Sequence, residues 1–436
     1  MKLPVIVVFL LLLLAGGAFF YLRDTSAPQI ALRPGAGPVS PKRPLLLDLQ
    51  DPGSGLAKVR VLVLQDGKEQ ELLSKTYENG TVSREERLFL ERADLQDGAI
   101  EVRVSATDNS IFPFGRGNRA EQTFAFSHDS KPPTISPLSK ANNINQGGAG
   151  LIVYTVSEEP AKSGIVVGDL FFPGFRLQED AYACLFPFPW DMSPDQFKPR
   201  LIAVDHAGNE RLTGFNHHLN ARKFPRDRIN VSQGFLDAKM PEFEHAYPAA
   251  GDLLELFLQV NGEMREQNVQ ALLDIGRQTA SEPLWQGAFV RQPGAARGMF
   301  AQSRTYLHQG KEIDRATHLG IDIAGLAQMP IVAANRGTVV FADYHGIYGN
   351  CVVIDHGLGL QSLYAHLSTM TAQVGETVEK EQEIGRSGAT GMAGGDHLHF
   401  GVLVHGIEVM PLEWWDAKWL RNNISGKLEA LPTAAN

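Results

Sequence analysis

Five residues in the last third of this 436-residue chain have the types and spacing that metal-assisted hydrolysis uses. In "DHLHF", Asp396 to Phe400, two histidines stand one residue apart. Side chains alternate along an extended strand, so His397 and His399 point the same way with Cα atoms roughly 7 Å apart, and one centre could engage both. Two further clusters carry ligand types: "THLGIDIAG" holds His318 and Asp322, and "YAHLS" holds His366. Zinc favours imidazole and carboxylate in tetrahedral geometry, and a catalytic site takes three protein ligands with one position left for water. Five candidates exceed that set. The two imidazoles left over would stand beside the water, as general base and as donor to a developing oxyanion. Residue types alone leave open which histidines are ligands.

The order of these clusters adds specificity. H-x-x-x-D is followed by a strand ending Y-A-H-L, then by the G-x-S-G-x-T-G run of "GRSGATG", then by H-L-H-F. With "GNCVVIDHGLGLQSLYAHLS" and the closing "GIEVMPLEWW", this pattern closely resembles the lysostaphin and LytM type zinc endopeptidases, over roughly the last third of the chain. The resemblance implies that His318, Asp322 and His399 bind Zn2+ and that His366 and His397 are the catalytic imidazoles. It also implies a peptidoglycan peptide as substrate, cut in its stem or cross-link. Members of the family that have lost activity and instead activate cell-wall amidases typically lack some of the five positions; all five are present here. A non-catalytic envelope scaffold of the same fold is the alternative, and a zinc endopeptidase acting on proteins shares the chemistry.

Other residues of reactive type read differently. His345, His356 and His405 lie near turn glycines and read as structural or exposed, and the adjacent His217 and His218 as a solvated pair. Ser387 in "GRSGATG" has no base specified beside it and is not a serine nucleophile. The glycines from Gly385 to Gly395 permit tight turns and close approach of a peptide backbone. Cys184 and Cys351 are far apart and form no C-x-x-C pair, so they read as small buried residues, with one disulfide as the other arrangement.

The elements that must position the five are mainly β. After residues 1–25, the stretch 26–130 alternates β-rich runs such as "LAKVRVLVL" and "AIEVRVSATD" with turn signals, and 131–214 repeats the pattern with "AGLIVYTVS" and "RLIAVDHAGNE". Both are expected to be immunoglobulin-like β-sandwiches. Residues 215–285 change to helical spacing, with Leu253, Leu256, Phe257, Val260 and Met264 followed by Val269, Leu272, Leu273 and Ile275, and a break at Gly262. That segment is a helical connector. Residues 286–420 return to β-branched residues and glycine and form the expected antiparallel β peptidase domain, self-contained in its patterning, before a tail at 421–436.

A formal charge of −9 and a pI near 5.8 give no basic surface of the kind nucleic acid requires. The run from Pro4 to Leu22 is uncharged and apolar, close to the ~20 residues that cross a bilayer, and no A-x-A cleavage signal follows it. It is expected to remain as an N-terminal membrane anchor. With Lys2 inside, the bulk of the chain would lie in the periplasm, or outside the cell, tethered to a bacterial inner membrane as a single-pass protein.

Overall fold

A computed structural model describes residues 8, 14, 24–111, 115–178 and 180–429. Apart from Val8 and Leu14, the expected anchor lies outside the described residues, among which no helix is long and apolar enough to cross a membrane. The chain divides into two compact units. One takes the described residues up to Pro133 with Val204–Arg211, and the other takes Thr134–Ala203 with the chain from Leu212 onward.

The first unit is built of two sheets. One has the order Gln29–Arg33, Leu45–Gln50, Ser83–Leu88, and the other Gly37–Val39, Arg119–His128, Gly98–Asp108, Leu56–Gln65, Lys68–Thr76. Alternate residues of Leu56–Gln65 and Gly98–Asp108, among them Val59, Val61, Val102 and Val104, meet Leu47 and Leu49 in one core. The last hairpin turns at Asp66-Gly67, both with positive φ, the combination a two-residue turn between twisted strands needs.

The second unit opens with the sheet Phe175–Arg176, Ala181–Pro187, Ala149–Val156, Ile135–Pro137. The run "AGLIVYTV" is apolar without alternation because both its faces are covered. Ile152 and Tyr154 join Tyr182, Cys184 and Phe186 in one core. Leu151 and Val153, with Ala181, Ala183 and Leu185, face the opposite way into the core of the C-terminal sheet. Glu413 ties these layers together: its carboxylate accepts from Asn145 Nδ2 at 2.6 Å and from the Ala149 amide at 3.2 Å, and meets Arg222 at 3.3 Å. Cys184 and Cys351 are both free and buried, which removes the disulfide alternative.

The C-terminal sheet runs Ala295–Gly298, Ile321–Ala324, Leu398–Val404, Leu360–Leu367, Asn350–Gly357, Gly337–Tyr344, Thr377–Val378, with Ile407–Val409 also paired to Leu398–Val404. One face packs on the sandwich sheet through Ile321, Ile323, Tyr364, Leu398 and Phe400. The other face is covered by the connector. Its helices are Gln233–Lys239, capped by Ser232, and Leu253–Gln259, capped by Asp252, which runs through a π-turn at Val260–Met264 into Arg265–Ile275. The break expected at Gly262 is that π-turn. Leu236, Phe243, Leu256, Phe257, Val260 and Leu272 bury against Tyr348, Cys351, Val353, Leu363 and Leu403. Upstream of the helices, the strand Arg226–Asn230 pairs in parallel with Gln302–His308, which pairs in turn with Lys311–His318. Beyond residue 420, Ile424 is fully buried and Lys427 Nζ donates to the Leu151 carbonyl at 2.7 Å.

A fragment beginning at Gln286 would therefore lack the strand beside Gln302–His308 and expose two apolar sheet faces at once. Removing that much cover from a core costs far more than the ~5–15 kcal/mol by which domains are stable. Residues 286–429 are expected to be insoluble or to show no cooperative melt by circular dichroism, whereas residues 134–429 should melt cooperatively. A sharp transition in the shorter fragment, within a few degrees of the longer one, would contradict this.

Candidate active site

Four strands place the five residues. Asp322 and His399 are direct cross-strand neighbours, and the row continues on either side through Gly298 and Ala365, so the order across the sheet is Gly298, Asp322, His399, Ala365. Two ligand-type residues are flanked by the two smallest ones. A Cβ at Gly298 would collide with Asp322 Oδ2, so only glycine leaves that carboxylate its position. Ile321, Ile323, Leu398 and Phe400 alternate to the opposite, core face, and this turns Asp322 and His399 towards the connector side. His318 ends the preceding strand and returns to the same point after the turn Leu319-Gly320. That turn is tight because a Cβ on Gly320 would strike the His399 ring.

His397 precedes its strand by one residue and points with His399, as alternation requires: their ring nitrogens lie 3.5 Å and 3.0 Å from Asp322 Oδ1. His366 reaches the site by a different route. It shares parity with Tyr364, which faces the core, so strict alternation would turn it away from the other four. A bulge opposite Cys351 and a backbone φ of +63° at His366 reverse its direction. Such a conformation is sparsely populated by residues other than glycine and costs on the order of 1–3 kcal/mol. The strain is spent re-aiming one imidazole.

The resulting geometry is a convergent donor set. His318 Nε2 lies 2.8 Å from Asp322 Oδ1 and 2.9 Å from His399 Nδ1, and the ligand atoms of the three residues all lie within 4.8 Å of one another. His318 Nδ1 faces the Met299 carbonyl at 3.0 Å; a carbonyl only accepts, so Nδ1 carries a proton, and Nε2, which meets Asp322 Oδ1 here, is the nitrogen that would turn its lone pair to a metal at the centre. Two imidazole nitrogens and one carboxylate oxygen, aimed at one point, fit a transition-metal ion. His366 and His397 stand beside the set with ring centroids 4.9 Å apart. Each donates Nδ1–H to a carbonyl, Thr390 at 2.9 Å and Gly395 at 2.7 Å, which leaves both Nε2 atoms facing outward from those anchors.

Burial alone would raise Asp322, but His318 opposite it and hydrogen bonds from His318, His397 and His399 hold it well below the ordinary carboxylate range. Burial pushes His399 down to about 4 despite Asp322, and holds His366 well below its usual value with His397 and His399 adding to the effect. Burial would also lower His397, yet its contact with Asp322 prevails and raises it.

Several functional neighbours carried no signal in the sequence. Arg304 Nη2 lies 2.8 Å from Asp322 Oδ2 and so occupies the oxygen that the histidines leave free. Tyr348 packs edge-on against His399 at 5.5 Å and donates to Glu408, whose burial pushes it up to about 7. A cavity of about 550 Å³ opens over the five residues. Its far wall is the connector: Ile229, Val231, Phe235 and Phe257. Three other histidines lie elsewhere: His356 is fully buried between the Arg336 carbonyl and Ser362, His405 bonds the Leu185 carbonyl, and His345 the Asn268 carbonyl. Ser387 donates to Asp396 at 2.6 Å and accepts from the Met329 amide.

Residues 316–411 match Peptidase family M23. They form a LytM-type peptidase domain. The chain is 39% identical over 95 residues to the DD-carboxypeptidase/endopeptidase Mpg of Neisseria meningitidis serogroup B, covering 22% of each protein. It is 40% identical over 98 residues to the peptidoglycan DD-endopeptidase ShyA of Vibrio cholerae, covering 22% of this chain and 23% of that one. The alignment thus spans less than a quarter of either relative. The catalytic domain of lysostaphin from Staphylococcus simulans aligns at 24% identity, over 34% of this chain and 96% of that one, with a TM-score of 0.22.

Two substitutions beside the site test the support of the donor set without replacing any of its residues. Arg304→Gln removes the partner of Asp322 Oδ2 and should weaken metal binding roughly 10- to 100-fold, the usual cost of losing a group that orients a ligand. Gly320→Ala should displace His399 and lower metal content likewise. Metal titration with a competing chelator reads both; unchanged affinity in Arg304→Gln would show that the ion pair does not orient the carboxylate.

Proposed function

We propose that this chain is a zinc-dependent endopeptidase that hydrolyses peptide bonds in peptidoglycan stems or cross-links. The observation that carries the reading is the convergence of all five residues on one cavity, three as a metal-type donor set and two as further imidazoles beside it. His318, Asp322 and His399 would hold Zn2+. The borderline-soft imidazole donors with a single carboxylate suit that ion better than calcium or magnesium.

Bound there, zinc supplies Lewis-acid polarisation of the scissile carbonyl and acidifies a water. The chain's own groups do the rest. Arg304 keeps Asp322 turned so that its Oδ1 faces the histidines. The Thr390 and Gly395 carbonyls fix the tautomers of His366 and His397, so one Nε2 accepts the proton of the attacking water while the other, once protonated, donates to the carbonyl oxygen. The connector wall, with Phe235 and Phe257, gives the peptide an apolar surface and limits water around the reacting carbonyl.

The relatives named as peptidoglycan endopeptidases support this substrate class, and the apolar run from Pro4 to Leu22 supports a membrane-anchored chain working in the periplasm, where that substrate lies. A non-catalytic activator would gain nothing from the strained His366.

His318→Ala, Asp322→Ala and His399→Ala should each lose zinc and, with it, activity. His366→Ala and His397→Ala should keep close to one zinc per chain while turnover drops by roughly 10²-fold or more. Zinc content and release of new amino groups from purified sacculi, measured on the same preparations, check both halves. Zinc-loaded wild type that releases no amino groups would overturn the enzymatic reading, and a metal-free His397→Ala beside a zinc-loaded His399→Ala would reverse the two roles.

A further inference from the structure

Three carboxylates converge in the first compact unit, far in sequence from the M23 domain. Asp24 lies where the described chain begins, Asp51 in the turn after Leu45–Gln50, and Asp108 at the end of Gly98–Asp108. Each offers an oxygen, and these oxygens lie within 4.8 Å of one another. Asp51 and Asp108 are 2% and 3% exposed. Their partners are neutral: Asp24 accepts from the amides of Ser26 and Ser54, Asp51 Oδ1 from those of Gly53 and Gly55, and Asp108 from the amides of Ser110 and Asn118 and from Asn118 Nδ2. Among the described residues no Lys, Arg or His pairs with any of the three.

Asp51 Oδ2 supplies an independent observation. It is buried and, among the described residues, has no hydrogen-bond partner, while its sister oxygen takes both glycine amides. A buried carboxylate oxygen without a donor is costly, and two further carboxylates at close range make it more so. Burial pushes the Asp51 carboxyl up, and the charges of Asp24 and Asp108 add to that. The chain nevertheless holds the three together. The Asp24 carbonyl accepts from Ser110 Oγ at 2.8 Å and from Asn118 Nδ2 at 3.2 Å, and a Cβ on Gly53 would collide with the Asp24 carboxylate.

We propose that Asp24, Asp51 and Asp108 form a calcium site. The donors are oxygens only, which excludes the soft and borderline ions that the histidine set of the M23 domain suits. Calcium accepts six to eight oxygens in irregular geometry, whereas magnesium demands a near-ideal octahedron at short distance; carboxylates already tethered through their other oxygens to backbone amides fit the former. The ion would bind Asp51 Oδ2 directly, and would fasten the chain at Asp24 to the two sheets.

The test uses the full chain, stripped of metal, with CaCl2 added in equilibrium dialysis and in thermal melts. Wild type should take up about one calcium per chain with a dissociation constant on the order of 10⁻⁴–10⁻³ M, the range of extracellular calcium modules, and its melting temperature should rise to a plateau. MgCl2 should be at least about tenfold weaker. Asp51→Asn keeps the Oδ1 acceptor for Gly53 and Gly55 and removes only the charge, so without metal it should melt no lower than wild type, yet its calcium affinity should fall at least about tenfold. Asp24→Asn should lose calcium in the same way, and His399→Ala should keep it. No calcium uptake by wild type, or equal uptake by wild type and Asp51→Asn, would overturn the proposal.

Discussion

The whole candidate site depends on how the charge of Asp322 is neutralised. Its side chain is 12% exposed, and a carboxylate taken that far from water is tolerated only when nearly every lone pair finds a partner. Four side chains supply them. His318, His399 and His397 gather at Oδ1 and Arg304 meets Oδ2. These partners arrive from three pieces of backbone, so the carboxylate, itself on Ile321–Ala324, acts as the point at which that strand, the segment carrying His397 and His399, and two strands of the smaller sheet must agree. The small residues around it follow from the same constraint. Gly298 and Gly320 are there because the space beside Asp322 and His399 is already filled.

Much of this was legible in the sequence, for reasons that can be assigned residue by residue. The direction shared by His397 and His399 follows from strand alternation, a local rule, and it holds. His318 and Asp322 are four residues apart across a turn, also local. The alternating strands of the first unit showed their inner faces in the same way. His366 was found through its context and not its geometry: alternation would have sent it into the core with Tyr364, and only the bulge and the positive φ bring it round. Arg304 was missed because nothing local marks it. It is one arginine in a polar strand, and its importance comes from a partner 18 residues away across a sheet that the sequence did not reveal.

The connector shows another limit of pattern reading. Its helical periodicity and its break at Gly262 were visible, and its destination was not. Periodicity says that a face is apolar without saying what covers it. Here that face meets Tyr348 and the sheet carrying Val353 and Leu363, while the strand ahead of the helices, Arg226–Asn230, joins Gln302–His308. The segment read as a link between domains is a structural layer of the M23 domain and the far wall of its cavity. Likewise "AGLIVYTV" reads as a strand of high apolar content, but only the structure shows that its second face is spent on the neighbouring sheet.

These arrangements couple the cavity wall to the donor set. In the smaller sheet Asp227 is the register neighbour of Arg304, and Ile229 and Val231, just beyond it, line the wall opposite the histidines. Arg304 lies on the strand that Arg226–Asn230 covers, and its Nη2 fixes Asp322. A movement that widened the cavity by drawing Arg226–Asn230 away would expose the backbone edge of Gln302–His308, the strand that carries Arg304. An unpaired strand edge is free to shift, and a shift in Gln302–His308 is felt directly at Asp322. The wall and the donor set are therefore one mechanical unit. A peptide bound there would have to enter along the existing cavity, or the wall would have to move without breaking the five register pairs that join those strands.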